Sequence, residues 1–172
     1  MEYSLGFLFL AFLIIPLPNF IIFCTGHSHS YSQLRCIDTE RQALLNFKQD
    51  LIDPSNRLSS WTVDGDCCLW EGVVCHNLTA HIYQLNLTSY YVPSILGGKL
   101  NPSLLDLKHL NYLDLSYNNF TSTAIPSFLG LMSSLTHLNL SLAGFEGLIP
   151  HQIGNLSNLH FLNLESYRAY GL

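Results

Sequence analysis

The sequence predicts an α/β solenoid closed at one end by a disulfide-bonded N-terminal helical cap, and three observations predict it. The first is a leucine pattern that returns. Leu113-Asp114-Leu115-Ser116 recurs 25 positions on as Leu138-Asn139-Leu140-Ser141, and after a further 24 as Leu162-Asn163-Leu164. A fainter copy, Leu85-Asn86-Leu87-Thr88, lies 28 positions before the first. An L-x-x-L-x-L pattern with a period in the twenties marks coils that cannot bury their apolar side alone and therefore stack. The second observation is an apolar stripe at helical spacing upstream of the coils. The third is a group of cysteines on either side of that stripe.

The chain has 172 residues, enough for about one domain. Its net charge is −5 and only 11% of its residues are charged, which excludes a nucleic-acid surface built on clustered Lys and Arg. The 48% hydrophobic content overstates the core, because Leu5 to Phe23 is apolar except for Pro16, Pro18 and Asn19. The small residues Cys24 and Gly26 follow, then a polar stretch from His27. Residues 1–26 thus read as a secretory signal peptide, although Glu2 stands where such signals usually carry Lys or Arg. The run is nearly long enough to span a bilayer uncleaved, but its prolines and Asn19 suit a retained membrane helix poorly. Residues 27–35 read as a linker, and His27 and His29 as part of it rather than as metal ligands.

Two further counts point to the secretory pathway. Asn-x-Ser/Thr glycosylation sequons occur at Asn77, Asn86, Asn119, Asn139 and Asn155, whereas Asn101 is excluded by the proline after it. Of five cysteines, cleavage after Gly26 removes Cys24 and leaves Cys36, Cys67, Cys68 and Cys75, an even number suited to a disulfide framework. Adjacent Cys67 and Cys68 do not usually pair with each other. The expected arrangement is Cys36 with Cys67 and Cys68 with Cys75. A zinc site is the competing reading, but the spacing lacks two C-x-x-C knuckles.

The cap is expected over residues 36–76. Thr39 and Gln42 have the spacing of a capping box. Ala43, Leu44, Phe47 and Leu51 then form one apolar stripe, and Asp53-Pro54-Ser55-Asn56 stops the helix. The stripe is expected to cover the first coil.

Taken together, Cys36-Ile37-Asp38-Thr39-Glu40-Arg41, Ala43-Leu44-Leu45, Phe47-Lys48, Trp61 and Asp66-Cys67-Cys68-x-Trp70-x-Gly72-Val73-x-Cys75 resemble the N-terminal cap of plant leucine-rich-repeat receptors, in particular receptor-like proteins of the elicitor-receptor type. The resemblance covers roughly residues 36–166 and implies the same disulfide pairing. Members of that family carry many more coils, a C-terminal cap and a membrane helix. The resemblance therefore implies an N-terminal fragment of such a receptor.

Residues 77–172 are expected to form about four leucine-rich repeats, the last incomplete. Leu113 and Leu115 alternate along a short strand and point inward together. Asn118 is expected to satisfy buried backbone groups where the strand ends. Ile125-Pro126 and Ile149-Pro150 fit extended return segments. Ala143 stands where an asparagine equivalent to Asn118 is expected, as do Tyr90 and Tyr167 in the outer copies, and Ser122 replaces the glycine seen as Gly147, so the asparagine ladder is expected to be weak.

Residues beside the strand leucines are expected on the concave face: Gln84 and Asn86, Tyr112 and Asp114, His137, Asn139 and Ser141, Phe161, Asn163 and Glu165. The candidate ligand-binding set is Tyr112, Asp114, His137, Asn139, Phe161 and Asn163, with the aromatic members as main contacts. Glycans on Asn86 or Asn139 would obstruct that face. No G-x-S-x-G, H-E-x-x-H or P-loop occurs, so the chain is expected not to be an enzyme and to need no metal or cofactor. The resemblance implies extracellular recognition of a protein or peptide ligand, in defence or development, at the plasma membrane or in the apoplast, with a leucine-rich-repeat co-receptor kinase as a further partner. Two alternatives are a secreted inhibitor of microbial wall-degrading enzymes such as polygalacturonase, and a non-catalytic adaptor module.

Overall fold

The computed structural model describes residues 35–121 and 123–166. The expected signal peptide, linker residues 27–34, Ser122 and the stretch from Tyr167 onward lie outside the described residues.

Helix α1 spans Asp38–Gln49. Its N-cap is Ile37 and no side chain caps it, so the expected capping box is not made. Thr39 instead lies inside the first turn, and the Gln42 amide donates to Asn46 Oδ1 at 2.9 Å. The helix start is set by docking. Glu40 is buried, accepts from the Ile82 amide at 2.7 Å and contacts His81 Nδ1 at 2.8 Å. Ala43, Leu44 and Phe47 form the buried stripe. Leu51, expected on that stripe, is not helical. The helix stops at Gln49 because Leu51 and Ile52 pair with another segment of chain.

The strands, in chain order, are β1 (Leu51–Ile52), β2 (Val73–Cys75), β3 (Ile82–Asn86), β4 (Gly97–Gly98), β5 (Tyr112–Asp114), β6 (His137–Asn139) and β7 (Phe161–Asn163). One sheet has the order β2-β3-β5-β6-β7. Strands β3, β5, β6 and β7 are parallel and in register, so Leu85, Leu113, Leu138 and Leu162 form one row. Strand β2 joins antiparallel to β3. The cap thereby pairs the first edge of the solenoid sheet, an edge that would otherwise template association. Strands β1 and β4 form a separate antiparallel pair.

The return half of each coil carries a turn of 3₁₀ helix, so α1 is the one α-helix among the described residues. These turns, Pro102–Asp106, Ser127–Leu131 and His151–Asn155, pack in series behind α1. Pro126 and Pro150 precede two of them in the extended conformation expected, with ψ of 133° and 132°. Gly130 is required by close approach: a Cβ there would lie 2.1 Å from the Gln152 carbonyl oxygen.

Both disulfides form as expected, Cys36 with Cys67 and Cys68 with Cys75. Beneath them Trp61 and Trp70 stack at 5.4 Å, and the Trp61 indole N–H donates to the Glu71 carbonyl. Leu85, Leu87, Leu113, Leu115 and Leu138 are fully enclosed, whereas Leu162 on the last coil is 46% exposed. Asn118 is buried at the end of β5. Its amide group reaches the carbonyls of Leu87 and Leu115, each at 2.9 Å, and its Oδ1 accepts from the Leu96 amide. At the corresponding place in the next coil Ala143 uses its backbone carbonyl, which accepts from Phe120 N. Tyr90 leaves the ladder altogether and is 83% exposed. The coil is held there by Ser89, which is buried and bonded to Ser94 Oγ.

Candidate recognition surface

The strand register determines the concave face. Three rows cross the coils. The first is Gln84, Tyr112, His137 and Phe161; the second is Asn86, Asp114, Asn139 and Asn163. The third, two positions further along each coil, is Thr88, Ser116, Ser141 and Glu165.

In the first row Tyr112 stacks on His137 with ring centroids 4.0 Å apart and planes at 12°. His137 stacks on Phe161 at 4.1 Å and 4°. The 4.7–4.9 Å spacing of neighbouring strands imposes this contact once aromatic residues share a register position. The rings present their edges to the concave side, and Phe161 is 42% exposed. Burial in the stack pushes the His137 imidazole below its ordinary range, against the opposing pull of the Asp114 charge. Burial also pushes the Tyr112 phenol up, and the neighbouring Asp114 carboxylate adds to the effect.

The second row is partly withdrawn from solvent. Asp114 was expected as an exposed contact, but the structure buries it. Its Oδ1 accepts from the Ser116 amide at 2.9 Å, the Ser116 hydroxyl at 2.6 Å and the Thr88 hydroxyl at 2.7 Å. Its Oδ2 accepts from Asn139 Nδ2 at 3.0 Å and the Tyr112 hydroxyl at 3.3 Å. Burial pushes the carboxyl up, but the hydrogen bonds from Ser116, Thr88 and Asn139 outweigh it and hold the group below the usual carboxylate range. Asp114 is thus a brace between coils. The same local motif recurs beside it: Asn139 Oδ1 accepts from the Ser141 amide and hydroxyl, Asn163 Oδ1 from the Glu165 amide, and Asn86 Oδ1 from the Thr88 amide. Asn139 and Asn163 remain half-buried and reachable.

Comparison with known proteins agrees with this architecture. A family model described as a leucine rich repeat N-terminal domain matches residues 37–76, and one described as a Leucine Rich Repeat matches residues 109–131 and 134–156. Receptor-like protein EIX1 of Solanum lycopersicum is 43% identical over 141 residues, covering 75% of this chain and 14% of its own length. Receptor-like protein EIX2 of the same species is 44% identical over 133 residues, covering 73% of this chain and 13% of its own length. The chain belongs to the plant leucine-rich-repeat receptor-like family. It spans about one seventh of the length of these relatives. Solved structures with the same coil arrangement include a plant ice-binding protein, with TM-score 0.68 and 28% identity over 77% of this chain and 42% of that one. The BIR3–SERK2 complex from Arabidopsis thaliana gives TM-score 0.62 and 34% identity over 72% and 67%. The PEPR1–AtPEP1 structure gives 0.65 and 32% over 76% and 18%. Among the described residues no helix is long and apolar enough to cross a membrane.

Within this leucine-rich-repeat chain, the sequence reading passed over Thr88 and Ser116, the residues that anchor Asp114. Their signal was present as the Ser or Thr that ends each L-x-L-S/T run. The Glu40–His81 contact between cap and first coil, across 41 positions, carried no sequence signal. Of the sequon asparagines, Asn77, Asn119 and Asn155 are exposed, while Asn86 and Asn139 are half-buried on the concave rows.

Proposed function

We propose that the concave rows recognise a protein or peptide ligand, as part of an extracellular plant receptor-like protein acting in defence or development. The observation that carries this reading is the aromatic column Tyr112–His137–Phe161. It is a preordered, half-exposed strip whose rings are held by one another, so little side-chain entropy is lost when a ligand covers it. Aromatic side chains dominate the energetics of such contacts. Asn139 and Asn163 lie alongside with hydrogen-bonding groups for a peptide backbone. The kinship with receptor-like proteins and the likeness to PEPR1–AtPEP1 support a peptide or protein ligand. The likeness to BIR3–SERK2 supports a further partner of the leucine-rich-repeat kind, for which we propose a co-receptor kinase. A route through the secretory pathway to the plasma membrane or apoplast follows from the same reading.

The test is a selection of displayed random peptides against the immobilised chain. Selected peptides should bind the chain carrying Leu148→Ala, a remote and 91% exposed site. They should lose at least tenfold in affinity on a chain carrying His137→Ala and Phe161→Ala. Peptides that bind both variants equally would place recognition elsewhere.

A further inference from the structure

A shallow apolar groove lies away from the concave rows, on the flank formed by β1, β4 and the segment after β5. It has a volume of about 600 Å³ and is lined by Ile52, Pro54, Ile95, Gly97, Asn119 and Thr121 among others. Its floor is ordered by pairing. Ile52 stands opposite Gly97 in the antiparallel pair, and Gly97 is bridged in parallel to Asn119. The Asn119 amide donates to the Leu96 carbonyl at 2.8 Å. The three positions therefore lie side by side, with an absent side chain in the middle. A Cβ on Gly97 would come within 3.0 Å of the Asn119 carbonyl oxygen and 3.6 Å of Ile52 Cβ. The result is an open bay between a 63% exposed isoleucine and an exposed asparagine.

That asparagine begins the sequon Asn119-Phe120-Thr121, and both Asn119 and Thr121 line the bay. The Asn119 Oδ1 accepts from the Thr121 amide at 3.3 Å and faces Gly144 of the following coil. Asn119 itself is exposed beside the bay that it lines. Phe120, by contrast, points inward and stacks on Phe145 at 5.1 Å, which fixes the orientation of its two neighbours outward.

We infer that Asn119 carries an N-linked oligosaccharide whose first sugar lies in this bay against Ile52, as a structural cover for the groove. The donor is a polyprenyl-diphosphate-linked oligosaccharide of the secretory pathway. Nδ2 forms a bond to the anomeric carbon, the bond from that carbon to the diphosphate oxygen breaks, and the diphosphate leaves with the electron pair. Nδ2 gives up one proton and keeps the other. Modification precedes folding, so the bay receives the sugar as the coil closes. The apolar face of the ring then covers Ile52 and Ile95, and its hydroxyls remain in water. The inference is independent of the ligand-recognition reading, because the bay is on another side of the coils.

The experiment uses the full chain secreted from a plant or insect cell line. Peptide mapping by mass spectrometry should find Asn119 occupied. Thermal unfolding is then measured in three forms: fully glycosylated, trimmed to the first sugar, and stripped of sugar. The trimmed form should match the full form. The stripped form should melt about 2–4 °C lower, the shift expected for the loss of one modest contact in a chain of this size. Ile52→Ser should lower the melting temperature of the first two forms and leave that of the stripped form nearly unchanged, so that sugar and isoleucine are coupled. The inference is overturned by an unmodified Asn119, or by an occupied Asn119 whose effect on melting is the same with isoleucine and with serine at position 52. Thr121→Ser, which keeps the sequon, should behave as the native chain, whereas Thr121→Ala, which removes only the Asn119 sugar, should abolish the effect of Ile52→Ser on melting in the otherwise glycosylated chain.

Discussion

Replacing Asp114 separates charge from shape at the centre of the concave face. Asp114→Ala removes the acceptor for the Ser116 amide and hydroxyl, the Thr88 hydroxyl and the Asn139 amide. The two hydroxyls, 3.0 Å apart, can bond to each other, and Asn139 is half-buried and can reach water. The Ser116 amide belongs to a buried residue and has neither escape. One orphaned buried donor plus the lost charge-assisted bonds puts the cost at about 2–4 kcal/mol. Asp114→Asn is different, because the protein already contains that arrangement. In the next coil Asn139 serves Ser141 through one amide oxygen, at 3.1 and 2.8 Å. An asparagine at 114 can serve Ser116 in the same way, losing the charge and the bonds that Oδ2 accepts from Asn139 and from the Tyr112 hydroxyl, a cost of about 1 kcal/mol. The assay is urea unfolding with disulfides intact at pH 7 and again at about pH 3, below the ordinary aspartate value of about 3.9. The native carboxyl is held below its usual range, so its stabilising contribution is complete above the unfolded value and is lost as pH falls through the folded value. The asparagine variant should lack that part of the acid sensitivity. An asparagine variant as unstable as the alanine one, or one that keeps the full acid sensitivity, would refute the brace assigned to this carboxylate.

Other perturbations test the remaining joints. Glu40→Ala orphans the buried Ile82 amide and should cost about 2–4 kcal/mol in urea unfolding, while Glu40→Gln keeps an acceptor and should cost less than half as much. Asn118→Ala strands the Leu96 amide and the Leu115 carbonyl and should cost about 2–4 kcal/mol, with hydrogen exchange rising first at Leu96. For His137, whose imidazole is held below its ordinary range, the unfolded chain takes up the proton first as pH falls. Stability from this group is therefore full above pH about 6.5 and declines below it. His137→Phe keeps the stack and should flatten the part of the melting profile between pH 7.5 and 5 that this residue contributes. A profile identical to that of the native chain would count against the stack as the cause.

What was legible in the sequence was whatever repeats. Leu85, Leu113, Leu138 and Leu162 announced the parallel strands, and their shared register places Tyr112, His137 and Phe161 in one row. Excluding the adjacent pair left two arrangements for Cys36, Cys67, Cys68 and Cys75, and the resemblance to the plant receptor cap implied the one observed. The capping box on Thr39 misled because the start of α1 is governed by Glu40, whose partners Ile82 and His81 are some forty residues away.

The sequence by itself determined the solenoid and its disulfide-bonded cap, because a fixed period with alternating burial leaves stacking as the way to remove those leucines from water. Only the tertiary structure decided which concave residues remain free. Asp114, Asn139 and Asn163 occupy equivalent positions, yet Asp114 is buried among hydroxyls contributed by two coils while its neighbours stay reachable. The bay beside Asn119 was likewise decided by tertiary pairing, since Ile52, Gly97 and Asn119 come from three separated segments. Local pattern sets the direction in which a side chain points, whereas its access to solvent depends on what a neighbouring coil brings to meet it.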